Sequence, residues 1–171
     1  GYGVSLLNDC KYGYSAEENV LSLSLLKAAT YPNPDADRGK HTFTYALYPH
    51  IGGVTQGGTI QEGYYLNVPL EAMAVPASNG SLPAVYSLVS CDAENICVET
   101  VKKAEEDDSI IVRLYDSYNQ KSRPTLTFGF DFQEAYLCNL MEENEKKLEF
   151  DGRTLQLPVQ NFEIVTIKLV R

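Results

Sequence analysis

Leucine and serine alternate strictly in Leu21-Ser22-Leu23-Ser24-Leu25, an order that sends the leucines to one face of an extended strand and the serines to the other. The alternation predicts a half-buried strand. Residues 41–48, 84–89, 96–101, 109–115, 125–130 and 162–170 are likewise rich in β-branched and aromatic side chains, the residues that suit a pleated surface. Turn-forming clusters separate these runs: Pro32-Asn33-Pro34-Asp35, Gly52-Gly53, Gly57-Gly58, Asn79-Gly80, Glu106-Asp107-Asp108 and Asp151-Gly152. In the later half of the chain the strands recur about every 8 to 12 residues, the spacing of an antiparallel sandwich or barrel. Helical alternatives are weak. Residues 15–19 are too few to stand alone, residues 141–148 have little apolar face, and residues 61–70 run into Pro69. Any helix is expected at the periphery of an all-β, antiparallel β-sandwich architecture.

A chain of 171 residues accommodates one domain or two small ones. The Pro/Gly/Ser-rich stretch 76–81 marks a boundary, giving domains 1–78 and 79–171. Residues 1–78 have long Gly/Pro loops and few strands, as a piece of a larger sheet would. Residues 79–171 form a self-contained pattern of about seven strands, enough for an immunoglobulin-like sandwich.

Charge narrows the partners. Fourteen Lys and Arg against 23 Asp and Glu give a net charge of −9, which repels phosphate backbones and anionic lipids. The basic pairs Lys102-Lys103 and Lys146-Lys147 sit beside Glu105, Glu106, Glu143 and Glu145, so no basic patch is built that would release counterions from nucleic acid. No apolar run reaches the roughly 18 residues that cross a bilayer, and the first residues lack the basic and apolar segments of a signal peptide. No nucleic-acid or membrane partner is expected. Cys10, Cys91, Cys97 and Cys138 show no CxxC spacing, and Cys97 and Cys138 stand in apolar runs, where a thiol acts as a small hydrophobe. Reduced thiols and a cytoplasmic location follow.

The candidate sites are few. Glu105-Glu106-Asp107-Asp108 lies between two strand patterns and reads as a solvated hairpin turn rather than as carboxylates flanking a glycosidic bond. Asn33-Pro34-Asp35-Ala36-Asp37-Arg38-Gly39-Lys40-His41 gathers two carboxylates, a guanidinium and an imidazole between two strands, where a scaffold can present them. An Asx turn with Arg38 in a surface ion pair accounts for the same residues. His41 and His50 have no helical metal-pair spacing and no further ligands in view, so no metal site is expected. The serines lack a Gly-x-Ser-x-Gly frame, and neither histidine has an obvious catalytic partner. Gly52, Gly53, Gly57 and Gly58 read as a flexible connection. With 12 Tyr, 6 Phe and no Trp, stacking platforms for sugars would fall to tyrosines such as Tyr12, Tyr14, Tyr64 and Tyr65, which serve equally as half-buried structure.

Several segments in register go further. The runs Leu7-Asn8-Asp9-Cys10-Lys11-Tyr12-Gly13-Tyr14, Leu23-Ser24-Leu25-Leu26-Lys27, the loop from Pro32 to Gly39, and His41-Thr42-Phe43-Thr44-Tyr45-Ala46-Leu47-Tyr48-Pro49-His50 resemble the C-terminal region of glycoside hydrolase family 38 α-mannosidases. Val98-Glu99-Thr100-Val101-Lys102-Lys103-Ala104-Glu105, Val112-Arg113-Leu114-Tyr115 and Phe162-Glu163-Ile164-Val165-Thr166-Ile167-Lys168-Leu169 resemble the family's final β domain.

The resemblance implies that residues 1–78 end a large, mutarotase-like β-sandwich and that 79–171 form the small terminal sandwich. It implies a longer parent enzyme, a retaining mannosidase acting on mannose-containing glycans. Its aspartate nucleophile and its zinc or other divalent metal would lie in an N-terminal catalytic domain of the same polypeptide. No catalytic residue, cofactor or metal is expected in this chain, and neither His41 nor His50 inherits a ligand role. By the same resemblance the Asp37-Arg38-Gly39 loop approaches the active-site cleft, making Asp37, Arg38 and Gly39 the candidate substrate-binding residues. Two readings of another class remain: a free-standing carbohydrate-binding module, and a protein-interaction sandwich whose unpaired strand edges drive formation of a homo-oligomer.

Overall fold

The structure, a computed structural model, describes residues 1–77 and 79–171. Ser78, the last residue of the expected first domain, lies outside the described residues. The chain divides into two compact units, Gly1–Pro76 and Ala77–Arg171.

In the first unit, strand β1 (Tyr2–Asn8) pairs antiparallel with β4 (Tyr45–Ile51), from Tyr2 opposite Ile51 to Asn8 opposite Tyr45. A separate hairpin joins β2 (Tyr14–Glu17) to β3 (Val20–Leu23). Helix α1 (Thr59–Asn67) stops just before Pro69, as proline at that place requires, and packs along β1, where the Asn67 amide donates to the Asn8 carbonyl at 3.2 Å. Residues opposite one another share a face. Gly3, Ser5, Leu7 and their partners His50, Tyr48 and Ala46 therefore form one face of the β1–β4 ribbon, and Tyr2, Val4, Leu6, Leu47 and Ile51 form the other. That other face is apolar and largely open, with Tyr2 78%, Leu47 66% and Ile51 80% exposed.

The second unit is a two-layer sandwich. One sheet has five strands in the order β10-β9-β12-β7-β6, namely Asn144–Leu148, Glu134–Cys138, Ile164–Val170, Ile110–Asp116 and Ile96–Lys103. The other has three, β11 (Thr154–Gln156), β8 (Thr125–Phe128) and β5 (Val89–Cys91). All pairings are antiparallel. Val112 and Leu114 of β7, Val165, Ile167 and Leu169 of β12 and Ala135 of β9 meet Leu126 and Phe128 of β8 and Leu155 of β11 in one buried cluster. Every buried hydrophobic residue found among the described residues belongs to this unit.

Two polar devices and a chain of aromatic rings hold the sandwich. Asp116, at the end of β7, is fully buried: its Oδ1 accepts from Asn95 Nδ2 (2.7 Å) and the Tyr118 N–H (3.2 Å), and its Oδ2 from the Gln120 (3.0 Å) and Phe162 (2.8 Å) N–H groups. Burial pushes its carboxyl pKa up, but those donors overrule burial and hold it below the ordinary range. The Glu105–Asp108 turn closes the β6–β7 hairpin through the Ala104 N–H to Ser109 carbonyl bond at 2.8 Å. Its charges are not left to repel one another: Lys102 pairs with Glu105, Lys103 with Asp108 (2.6 Å), and the largely buried Lys168 with Asp107 (2.7 Å). The Lys168 ammonium and Ser109 hold the Asp107 carboxyl down to about 2. Finally, Phe128, Phe130, Phe132 and Phe150 form a chain of tilted and edge-on rings.

The strand readings need local corrections. Strand β4 starts at Tyr45 rather than residue 41, because β1 ends at Asn8 and offers no partner beyond it. Strand β5 starts at Val89 rather than residue 84, since its partner β8 ends at Phe128. Residues 144–148, with their helix-like Glu and Lys content, form edge strand β10, where charged side chains and a bulge between Asn144 and Lys146 blunt further pairing. The Leu/Ser alternation does make strand β3, but it is mostly exposed: among the described residues β3 pairs only with β2, Leu21 and Leu25 are exposed, and Leu23 alone is partly buried.

Candidate functional site

The loop between β3 and β4 carries the residues singled out in the sequence. The Asn33 Oδ1 accepts from the Asp35 N–H at 3.0 Å, an Asx turn, and the Arg38 N–H to Asp35 carbonyl bond (3.2 Å) closes a further turn. Asp37 adopts the left-handed conformation (φ 59°), and Gly39 takes φ 143°, which a side chain would strain. The His41 ring donates from Nε2 to the Asp37 carbonyl at 2.7 Å, so His41 fixes the backbone of Asp37. Arg38 reaches back to Asp35 (2.8 Å), with both side chains exposed. The loop therefore brings Arg38 together with Asp35, and Asp37 with His41, on an open surface. Its base is anchored: Asp9 and Thr44 exchange bonds at 3.2 and 2.9 Å, and the Lys11 ammonium lies 4.2 Å over the Phe43 ring. This geometry contains the Asx turn and the surface ion pair, and it presents the Arg38 guanidinium to whatever faces the loop.

Another polar cluster was not legible in the sequence. On the helix-covered face of the β1–β4 ribbon, His50 Nε2 lies 3.0 Å from Ser5 Oγ, which is 2.7 Å from Thr59 Oγ1. The partners are 45 and 54 positions apart, beyond the reach of a local motif. The ring is slotted between Gly3 and Gly57, where an added Cβ at either position would overlap the imidazole. Tyr48 OH donates to the Gly57 carbonyl at 2.9 Å. The glycine-rich segment is thus an ordered turn moulded around His50 rather than a flexible connection. The cluster does not make a nucleophile triad, since His50 Nδ1 is buried with no partner and no carboxylate orients the ring.

Among the described residues no group of three His, Cys, Asp or Glu is placed to hold a metal ion, and no helix is long and apolar enough to cross a membrane. All four cysteines are free, with Cys10 exposed and Cys138 buried.

Comparison with known proteins decides what these sheets belong to. The glycosyl hydrolases family 38 C-terminal beta sandwich domain matches residues 95–167, inside the second unit, and the family's C-terminal domain matches residues 1–35, inside the first. The chain belongs to the C-terminal β region of glycosyl hydrolase family 38. Alpha-mannosidase 2C1 of Homo sapiens is 39% identical over 175 residues, covering 99% of this chain and 17% of the human protein. Alpha-mannosidase G of Dictyostelium discoideum is 35% identical over 180 residues, 99% of this chain and 16% of that protein, and the alpha-mannosidase of Saccharomyces cerevisiae is 33% identical over 138 residues. The chain thus spans about a sixth of the first two relatives' length. The resemblance carried by the Leu7–Tyr14 and Val98–Glu105 segments is a family relationship, and the sandwich of the second unit is the family 38 sandwich. The Asp37-Arg38-Gly39 loop falls between the two matched stretches, within the span aligned to the mannosidases.

Proposed function

We propose that this family 38 chain is a non-catalytic part of a longer retaining α-mannosidase that cleaves terminal α-mannosyl linkages. In this reading the second unit is a structural brace, and the first unit supports the catalytic domain and walls one side of the active-site cleft. The observation that carries the reading is the open apolar face of the β1–β4 ribbon. A sheet with Tyr2, Leu47 and Ile51 in water is a layer awaiting a partner, since exposed apolar patches of this kind mark interaction surfaces. Relatives about six times longer supply a source for that partner in the same polypeptide.

The zinc or other divalent metal of such an enzyme does not fit the donors described here. The Nε2 of His41 is bonded to a carbonyl and that of His50 to Ser5, and among the described residues neither belongs to a group of three His, Cys, Asp or Glu placed to hold a metal ion. The metal is therefore assigned to the catalytic domain, and no step is routed through this chain. A cytoplasmic setting suits four free cysteines.

Two expectations follow. An antibody raised against the second unit detects, in the source cell, a polypeptide several times 19.0 kDa; a native product of this size refutes the reading. In that parent enzyme, Arg38→Ala lowers kcat/KM on an aryl α-mannoside by about 10- to 100-fold, the effect of losing a charged hydrogen bond at the substrate. Arg38→Lys restores only part of it, because a point charge lacks the guanidinium fork. An unchanged kcat/KM reduces Arg38 to its surface pair with Asp35.

A further inference from the structure

Asn79-Gly80 is the one Asn-Gly pair in the sequence, and it lies in irregular, exposed chain just after the division between the two units. A Cβ built at Gly80 would meet nothing within 4 Å. Among the described residues, no hydrogen bond engages the Asn79 amide or the Gly80 N–H. Glycine leaves the following backbone nitrogen unshielded and free to rotate toward the asparagine side chain, and unstructured surface backbone loses little in adopting that geometry.

From this we infer that Asn79 is a site of spontaneous deamidation through a succinimide. The Gly80 backbone nitrogen gives its proton to water and attacks Asn79 Cγ. A C–N bond forms, and the side-chain nitrogen leaves as ammonia. Water then adds to one of the two ring carbonyls and the adjoining C–N bond breaks. The product is aspartate at position 79 or, where the other bond opens, isoaspartate. Either adds one negative charge to a chain already at −9; the isoaspartyl form also lengthens by one carbon the backbone that joins the units.

Other asparagines are protected by what surrounds them. Asn33 precedes Pro34, which has no N–H to attack. The Asn67 and Asn139 amides are held by the Gly63 carbonyl and Glu143, and Asn95 is buried against Asp116.

The test incubates the purified 171-residue protein at physiological temperature and mildly alkaline pH, with peptide mapping by mass spectrometry over time. The peptide holding positions 79 and 80 is expected to gain about 1 Da, the difference between an amide and an acid, ahead of every other asparagine peptide. Isoaspartate in it is detected by enzymatic carboxyl methylation from S-adenosylmethionine. Asn79→Gln abolishes the gain, and Gly80→Val slows it several-fold without altering the sandwich. A peptide that keeps its mass while other asparagines convert overturns the inference. So does a native protein whose Asn79 carries a glycan, for which Asn79-Gly80-Ser81 is an acceptor sequence.

Discussion

Asp116→Ala is expected to lower the stability of the second unit by about 3 to 4 kcal/mol and its Tm by more than about 10 °C. The carboxylate is buried and holds four donors at once. Those donors come from the entry to β6, the chain after β7 and the entry to β12, so one side chain ties three connections at one end of the sandwich. Truncation leaves the Tyr118, Gln120 and Phe162 N–H groups without their acceptor, while Asn95 Nδ2 keeps the Gln120 carbonyl and Ser122 Oγ, and an unmet donor costs more than a made bond returns. Asp116→Asn is the sharper variant. Whichever way its amide turns, the NH2 faces two N–H donors, so the isosteric change is also expected to destabilise strongly. Thermal unfolding followed by circular dichroism measures both; a Tm within a degree or two of the parent for Asp116→Asn would mean the carboxylate is dispensable.

The other large effect separates the two units. Residues 77–171 alone are expected to unfold cooperatively with a stability of about 5 kcal/mol or more, and residues 1–76 alone to show no cooperative transition. The reason is where apolar area is buried. The cluster built on Val112, Leu114, Leu126, Phe128, Leu155, Ile167 and Leu169 is closed between two sheets. Among the described residues the first unit buries only Ser5, and its strands pair only two by two. Two-stranded ribbons are marginal in water, and one short helix on a single face of the β1–β4 ribbon buries little apolar area. Urea titration of each piece decides the matter; a sigmoidal transition in residues 1–76 would show a self-sufficient domain and weaken the case for a missing partner layer.

Much of the sandwich was legible because its strands obey a period of two and end at turn-forming residues. Glu106-Asp107-Asp108 and Asp151-Gly152 do connect strands, β6 to β7 and β10 to β11. Strand β1 escaped because Gly3 and the Leu6-Leu7 doublet break the alternation. Strand β10 escaped because Glu145, Lys146 and Lys147 favour helix in isolation, and only pairing with β9 overrides them. The leucines of β3 misled for the opposite reason: their alternation is perfect, but burial depends on a covering layer, and among the described residues β3 pairs only with β2 and Leu21 stays exposed. At the candidate site, Asp37, Arg38 and Gly39 were singled out by local chemistry and resemblance, and their role at the cleft is part of the proposal. The Ser5–His50–Thr59 cluster and the Asp116 clamp were not, because both are made by register across strands rather than by neighbours in sequence.

In the proposed function these strands brace a mannosidase without performing its chemistry. Incubating the purified chain with an aryl α-mannoside, with and without added zinc, tests it most directly. Release of the aryl group no faster than in the protein-free blank is predicted under both conditions. Zinc-stimulated or zinc-independent release above the blank, lost on denaturing the chain, would contradict it.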